Sequence, residues 1–130
     1  MEKRAINPWT WQDNFGFVQG NEITGAQRVL YCSGQLSVDE NGTPVHEGDM
    51  AAQAGKALDN LEAVLKDAGM DLSNVVHLTF YATDVDAAMA SYGAAIAPRL
   101  APIKAAQTLI GVTRLFLPEL MIEIEATAVA

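Results

Sequence analysis

The spacing of apolar residues changes between Met50 and Thr83, and that change constrains the fold more than any other feature of the chain. Ala54, Leu58, Leu61, Leu65 and Ala68 recur at helical spacing, which predicts an amphipathic helix from Met50 to Ala68. Asp49 stands at its start as an N-cap and Gly69 at its end as a stop. From Val75 to Thr83 the period falls to two: Val76, Leu78, Phe80 and Ala82 alternate with Val75, His77, Thr79 and Tyr81, the pattern of a strand. Helical spacing returns in Val85, Ala88, Tyr92 and Ile96, with Asp84 as cap and Pro98 as the expected end. Ala105 to Thr113 and Leu120 to Val129 then read as strands, separated by a connection that contains Pro118.

Upstream, Phe15 to Gln19 and Arg28 to Ser33 carry strand-forming bulk on either side of Gly20-Asn21-Glu22 and Gly25, which predicts a hairpin. Asp39-Glu40-Asn41-Gly42 is a turn. The order strand, strand, helix, strand, helix, strand, strand suits an α+β domain, one sheet with both helices on a single face. The other face must then meet water or another subunit. Apolar residues on both parities of several strands favour a subunit, and hence an oligomer.

The last strand sharpens this picture. In Met121-Ile-Glu-Ile-Glu-Ala-Thr127, alternation sets Glu123 and Glu125 on one side and Ile122, Ile124 and Ala126 on the other. A solvated sheet face explains two glutamates. So does a cleft at a subunit boundary that draws groups from two chains.

Composition removes several function classes. A chain of 130 residues fits one domain, 1–130, with residues 1–14 as an N-terminal extension. A formal charge of -8, with eight Lys and Arg against sixteen Asp and Glu, opposes binding to a phosphate backbone, so no nucleic-acid partner is expected. Cys32 is the only cysteine, which forbids an internal disulfide and suits a cytoplasmic setting. The expectation is also that the chain has no secretory signal and no membrane-spanning helix, because long apolar runs are missing. His46 and His77 lack ligand-spaced companions and read as exposed or core residues rather than metal ligands. Cys32 lacks a nearby base or cation to activate it and reads as a buried small residue. Trp9 and Trp11 read as staples of the N-terminal segment, or as a roof over an interfacial pocket.

Four segments in order, Phe17-Val-Gln-Gly20, Tyr31-Cys-Ser-Gly-Gln35, Gly48-Asp-Met-Ala-Ala-Gln53 leading to Leu58-Asp-Asn-Leu61, and Ile122-Glu-Ile-Glu-Ala126, resemble the RidA/YjgF family from about Phe17 to the C-terminus. The resemblance implies a chorismate-mutase-like α+β fold: a mixed sheet of five or six strands, two helices on one face, and a homotrimer with pockets between subunits. It also implies hydrolysis of reactive enamines and imines, such as 2-aminoacrylate and 2-iminopropionate, to a keto acid and ammonia, with no metal and no organic cofactor. The partner it implies is a small-molecule metabolite.

Carried over residue by residue, Glu123 falls where the family places the glutamate that orients water. Ser33 matches a residue that hydrogen-bonds the ligand, although a serine at a strand end is also a common turn former. Phe17 takes the place of a pocket tyrosine, keeping the ring without the hydroxyl. Gln107 stands where deaminating members carry the arginine that grips the substrate carboxylate. A charged hydrogen-bonded contact of that kind contributes about 1.5 to 3 kcal/mol, and a neutral amide reproduces neither its fork nor its charge. Leu109 shares the strand face of Gln107, as cavity wall or as core. Lys104, three residues before Gln107, belongs to the opposite face and is a poor substitute, while Arg114 serves the turn. Two functions therefore follow from the sequence: a hydrolase of altered specificity, in which Gln107 reads an amide, carbonyl or hydroxyl, or a non-catalytic metabolite-binding trimer.

Overall fold

The computed structural model describes all residues from 1 to 130. Six strands and a set of helices form the α+β architecture expected. β1 (Glu2–Ile6) pairs antiparallel with β2 (Gly20–Thr24) as a ribbon, with Glu2 opposite Thr24 and Ile6 opposite Gly20. β3 (Val29–Leu36), β4 (Val75–Ala82), β5 (Ala106–Gly111) and β6 (Ile122–Val129) form a mixed sheet in the order β3-β6-β4-β5. Only the β4–β5 pair is parallel. The ribbon is tied to the β5 end of the sheet: Val18 bridges Ala106, and the Asn21 side-chain amide donates to the carbonyls of Val76 at 2.8 Å and Lys104 at 3.2 Å.

The expected hairpin between residues 15–19 and 28–33 does not form. Trp11–Phe15 is a single 3-10 turn ended by Gly16 at φ 73°, and the strand that follows, β2, begins only at Gly20 and pairs backward with β1. Local bulk at Phe15 and Phe17 goes instead into a cluster of rings. Strand propensity yields here to contacts among these rings and to the Tyr92 hydrogen bond on the Phe15 carbonyl.

α1 (Met50–Asp67) obeys its sequence pattern. Asp49 accepts from the Ala52 N–H at 3.0 Å. Gly69, at φ 71°, and Met70 close the helix by donating to the carbonyls of Lys66 and Leu65 at 3.0 and 2.8 Å, a Schellman closure that a left-handed glycine makes cheap. Leu58, Leu61 and Leu65 are fully buried and face β3 and β6. They meet Leu78, Phe80, Ile122 and Ile124 from the sheet in one core. At about 1.5 to 3 kcal/mol for each large side chain withdrawn from water, this layer is the main cohesive term of the fold.

α2 (Val85–Ser91) begins at Asp84, whose carboxylate accepts from the Ala87 N–H at 3.0 Å. Helical structure does not end at Pro98. A π-turn over Tyr92–Ile96 leads into α3 (Ala97–Leu100), with Pro98 in its first turn. The widened turn restarts the hydrogen-bond ladder, so proline occupies a first-turn position, where a missing N–H costs little. No helix is long and apolar enough to cross a membrane.

Both helical layers lie on one face of the sheet. The other face carries Tyr31, His77, Tyr81, Glu123, Glu125 and Thr127, by the register of β3, β4 and β6. Tyr31 there is 80% exposed.

Candidate functional site

The edge strand β5 and the N-terminal segment border an open-mouthed cavity of about 210 Å³ on the helix side of the sheet. Gln107 stands opposite Leu78, and Leu109 opposite Phe80, so both project toward that side, as their shared parity predicted. Phe15 and Phe17 close the cavity from the N-terminal segment, and Met89 and Tyr92 from the helical layer. Nine of the eleven lining residues are hydrophobic, and none carries a formal charge. Phe17, Gln107 and Leu109, singled out from the sequence, line this cavity together with Phe15, Met89 and Tyr92, which were not. The spacing of Met89 and Tyr92, three apart on one helical stripe, was the available signal.

The rings are held by a hydrogen-bonded scaffold. Gln12 is fully buried; its amide donates to the Trp9 carbonyl at 2.7 Å and accepts from Gln19 at 3.3 Å. Asn7 accepts from the Gln19 N–H at 2.8 Å, and the Tyr92 hydroxyl donates to the Phe15 carbonyl at 2.9 Å. Burial pushes the Tyr92 phenol up, which keeps it a neutral donor. Gly16 permits the turn between the two phenylalanines, since a Cβ there would lie 2.7 Å from Ala101 Cβ. Trp11 meets Phe17 edge to face at 5.7 Å and 73°, and Phe15 at 6.4 Å and 72°, the favoured arrangement of aromatic quadrupoles.

Against these apolar walls one polar group is left over. The Nε2 of Gln107 is buried and has no hydrogen-bond partner. An amide donor withdrawn from water without an acceptor costs about 1 to 3 kcal/mol.

Glu123 lies elsewhere. It is opposite Tyr81 in β4 and Leu36 in β3, on the open face, whereas its neighbour Ile122 lines the cavity. The carboxylate rests against Gly34: a Cβ on that glycine would overlap the Glu123 carboxyl group and its Cγ. Gly34 and Ser33 form a bulge between Cys32 and Gln35. Ser33 is exposed there, and its carbonyl accepts from the Gln35 amide at 3.1 Å. Burial, and secondarily the charge of Glu125, push the Glu123 acid up. Glu125 accepts from the Tyr81 hydroxyl at 2.6 Å, and that bond, with burial and the two glutamate charges, pushes the Tyr81 phenol up.

The entry into β6 is fixed by Gln53, a buried residue that sequence reasoning gave no role. Its side chain accepts from the Met121 N–H at 2.8 Å and donates to the carbonyls of Glu119 at 2.9 Å and His46 at 3.2 Å. The register that puts Glu123 beside Gly34 begins at this clamp. Arg114 donates to the carbonyls of Leu115 and Phe116 at 3.2 and 3.3 Å, so it serves its turn. His77 lies on the open face beside Tyr31, Glu125 and Thr127, and Cys32 is buried, with its thiol pushed up by burial. No three His, Cys, Asp or Glu side chains converge.

One chain thus carries two separate groups. Phe17, Gln107 and Leu109 share an apolar cavity with one side-chain amide on its lining. Glu123 and the Ser33–Gly34 bulge share the opposite face, where a carboxylate of raised proton affinity can accept a proton from water.

Residues 16–130 match the family described as Endoribonuclease L-PSP. A RutC family protein of Synechocystis is 34% identical over 84% of this chain and 84% of its own length, and one of Pyrococcus horikoshii 31% over 79% and 80%. The 2-iminobutanoate/2-iminopropanoate deaminase of Rattus norvegicus is 39% identical, but over 45% of this chain and 43% of that protein. The match to protein DfrA of Myxococcus xanthus likewise spans 46% of each chain, at 38% identity. Among solved structures, a Rid-family protein of unknown function from Yersinia pestis superposes with a TM-score of 0.83 at 36% identity, covering all of both chains.

Proposed function

The chain belongs to the RidA/YjgF family, the Endoribonuclease L-PSP family of its matching model, and on that footing we propose that it is a hydrolase of a small enamine or imine, with Glu123 orienting the water and Gln107 setting an altered specificity. Relatives named as imine deaminases and as a 3-aminoacrylate deaminase support the general reaction. The observation that carries the proposal is the division of the site. The receptive amide of Gln107 and the carboxylate of Glu123 stand on opposite faces of one sheet, so a working site takes the cavity of one subunit and the open face of another. A homotrimer with three interfacial pockets satisfies that requirement.

The chemistry needs little else. An enamine first tautomerises to its imine, gaining a proton on carbon and losing one from nitrogen to solvent. Water then adds to the imine carbon while Glu123 takes the water proton, so a C–O bond forms and the C=N π pair moves to nitrogen. That proton passes to the nitrogen to give the carbinolamine; Glu123 then takes the hydroxyl proton and hands it to nitrogen, so that the C–N bond breaks as the carbonyl forms and ammonia leaves. A carboxylate with raised proton affinity is a better base for the first transfer than an ordinary one. Ser33, at the exposed bulge, supplies a hydrogen bond to the bound molecule. Gln107 donates to an oxygen that need not be anionic, while Phe17 and Leu109 hold the apolar part.

The test is ammonia release from 2-iminopropionate and from uncharged enamines by the wild type, Glu123→Gln and Gln107→Arg. The wild type should favour the uncharged substrates, Glu123→Gln should lose them, and Gln107→Arg should gain on 2-iminopropionate by about 10- to 150-fold in kcat/KM, the worth of a charged hydrogen bond. Equal rates for Glu123→Gln and wild type would refute the hydrolase. A second reading, a metabolite-binding trimer without turnover, draws on the unpartnered Gln107 amide, which calls for a ligand but not for a reaction. It is the one to keep if an uncharged ligand stabilises the protein and no enamine is hydrolysed.

A further inference from the structure

Resting on that reading of the site, we infer that the molecule taken by the cavity carries an uncharged aromatic ring bearing a neutral hydrogen-bonding group, and that the N-terminal ring cluster is its binding wall. Three observations converge. The cavity, at about 210 Å³, is larger than the roughly 150 Å³ that suffices to hold benzene in an apolar protein interior. It therefore accommodates a phenyl group with a short substituent, whereas a three-carbon imino acid would leave much of it empty. Nine of the eleven lining residues are hydrophobic and none is cationic, so an anion would lose its hydration there without an opposite charge. Gln107 is the one side-chain amide on the lining, and an amide that donates and accepts matches a neutral polar group rather than a charge.

The ring cluster selects an arene over an aliphatic group of similar size. Phe15 and Phe17 lie on the cavity wall with centroids 6.4 Å apart and planes inclined at 42°. Trp11 backs both of them edge to face. Rings arranged in this way offer faces and edges of opposite electrostatic sign to a further aromatic ring, a preference beyond area burial alone. Gln12 and Asn7 fix the segment that carries them, so the wall is in place before anything binds.

The test uses the assembled protein in the Glu123→Gln form, so that binding is read without turnover, with benzamide, benzoate and isobutyramide as probes. Calorimetry gives the affinities, and quenching of tryptophan emission by ligand reports contact near Trp11. Benzamide should bind about tenfold more tightly than benzoate, which shares its ring, and than isobutyramide, which shares its amide. Phe17→Ala should remove the preference for benzamide over isobutyramide, and Gln107→Arg should reverse the order of benzamide and benzoate. Gln107→Glu, which keeps the shape of the side chain and loses the donor, gives a second route to the polar contact and should weaken benzamide binding. Benzoate binding as well as benzamide to the unaltered cavity, isobutyramide matching benzamide, or no saturable benzamide binding at millimolar concentration would each overturn the inference. The two proposals fail separately: selective benzamide binding with no ammonia from any aryl enamine removes the hydrolase and leaves the aromatic site. Turnover of small enamines without ring selectivity does the reverse.

Discussion

Replacing Gly34 by alanine perturbs Glu123 without touching it. A Cβ at position 34 would overlap the Glu123 carboxyl group and its Cγ. Gly34 does not have a left-handed backbone, so the methyl group adds steric overlap without strain in φ. Two responses are open to the protein. If Glu123 stays, the overlap costs about 1 to 3 kcal/mol, as overpacking does in a confined site. The side chain is only half-buried, so the cheaper response is for Glu123 to swing away from the bulge, and the stability loss should then stay near 1 kcal/mol, or about 4 °C in Tm. Under the proposed reaction, ammonia release should fall much further, because moving a positioned catalytic group by about 1 Å can cost on the order of 100-fold in rate. The carboxyl group itself gives a readout independent of substrate. Burial is the larger cause of its raised pKa, so carbon-detected NMR titration of Glu123 should show that pKa falling toward the ordinary carboxylate value in Gly34→Ala. An unchanged titration, with melting temperature and ammonia release like wild type, would refute the close packing of Gly34 and Glu123.

Glu123→Gln should raise the melting temperature at neutral pH. A carboxyl group whose folded pKa lies above its unfolded value costs stability when ionised, and that cost vanishes as pH falls through the folded value; a gain that persisted unchanged well below that window would contradict the assignment. Gly16→Ala should destabilise by more than about 1 kcal/mol, because it meets both a left-handed backbone and the 2.7 Å approach to Ala101; a melting temperature equal to wild type refutes this. Single-stranded RNA at low salt should be neither retained nor cut, given sixteen acidic against eight basic residues, and either result by filter binding or gel would reopen the activity in the family's description.

The helices and core strands were legible because each had a strong period and a definite cap. Asp49, Gly69 and Asp84 mark element ends whose hydrogen bonds are local. The parity of β5 and β6 was equally readable, so Gln107 with Leu109, and Glu123 apart from Ile122, followed from alternation alone. The first two dozen residues were not. Phe15 and Phe17 look like strand residues, yet their conformation is decided by Ala101, Tyr92 and Trp11, which are distant in sequence or belong to the extension. The passage through Pro98 was hidden for a related reason: only the π-turn before it shows that a new helix begins there. Register between strands cannot be read from one strand, so Tyr81 against Glu125 and Gly34 against Glu123 emerged only with the fold.

Ile122 and Glu123 are consecutive, yet the pleat of β6 turns one inward to the cavity and the other outward to the bare side. Under the proposed reaction each subunit therefore lends a receptacle to one neighbour and a base to another. Any open chain of such subunits ends with a receptacle lacking a base and a base lacking a receptacle. Only a closed ring puts every half to use, so turnover per subunit should climb with ring closure, and mixing inactive Glu123→Gln subunits with inactive Gln107→Glu subunits should restore part of the activity that neither has alone.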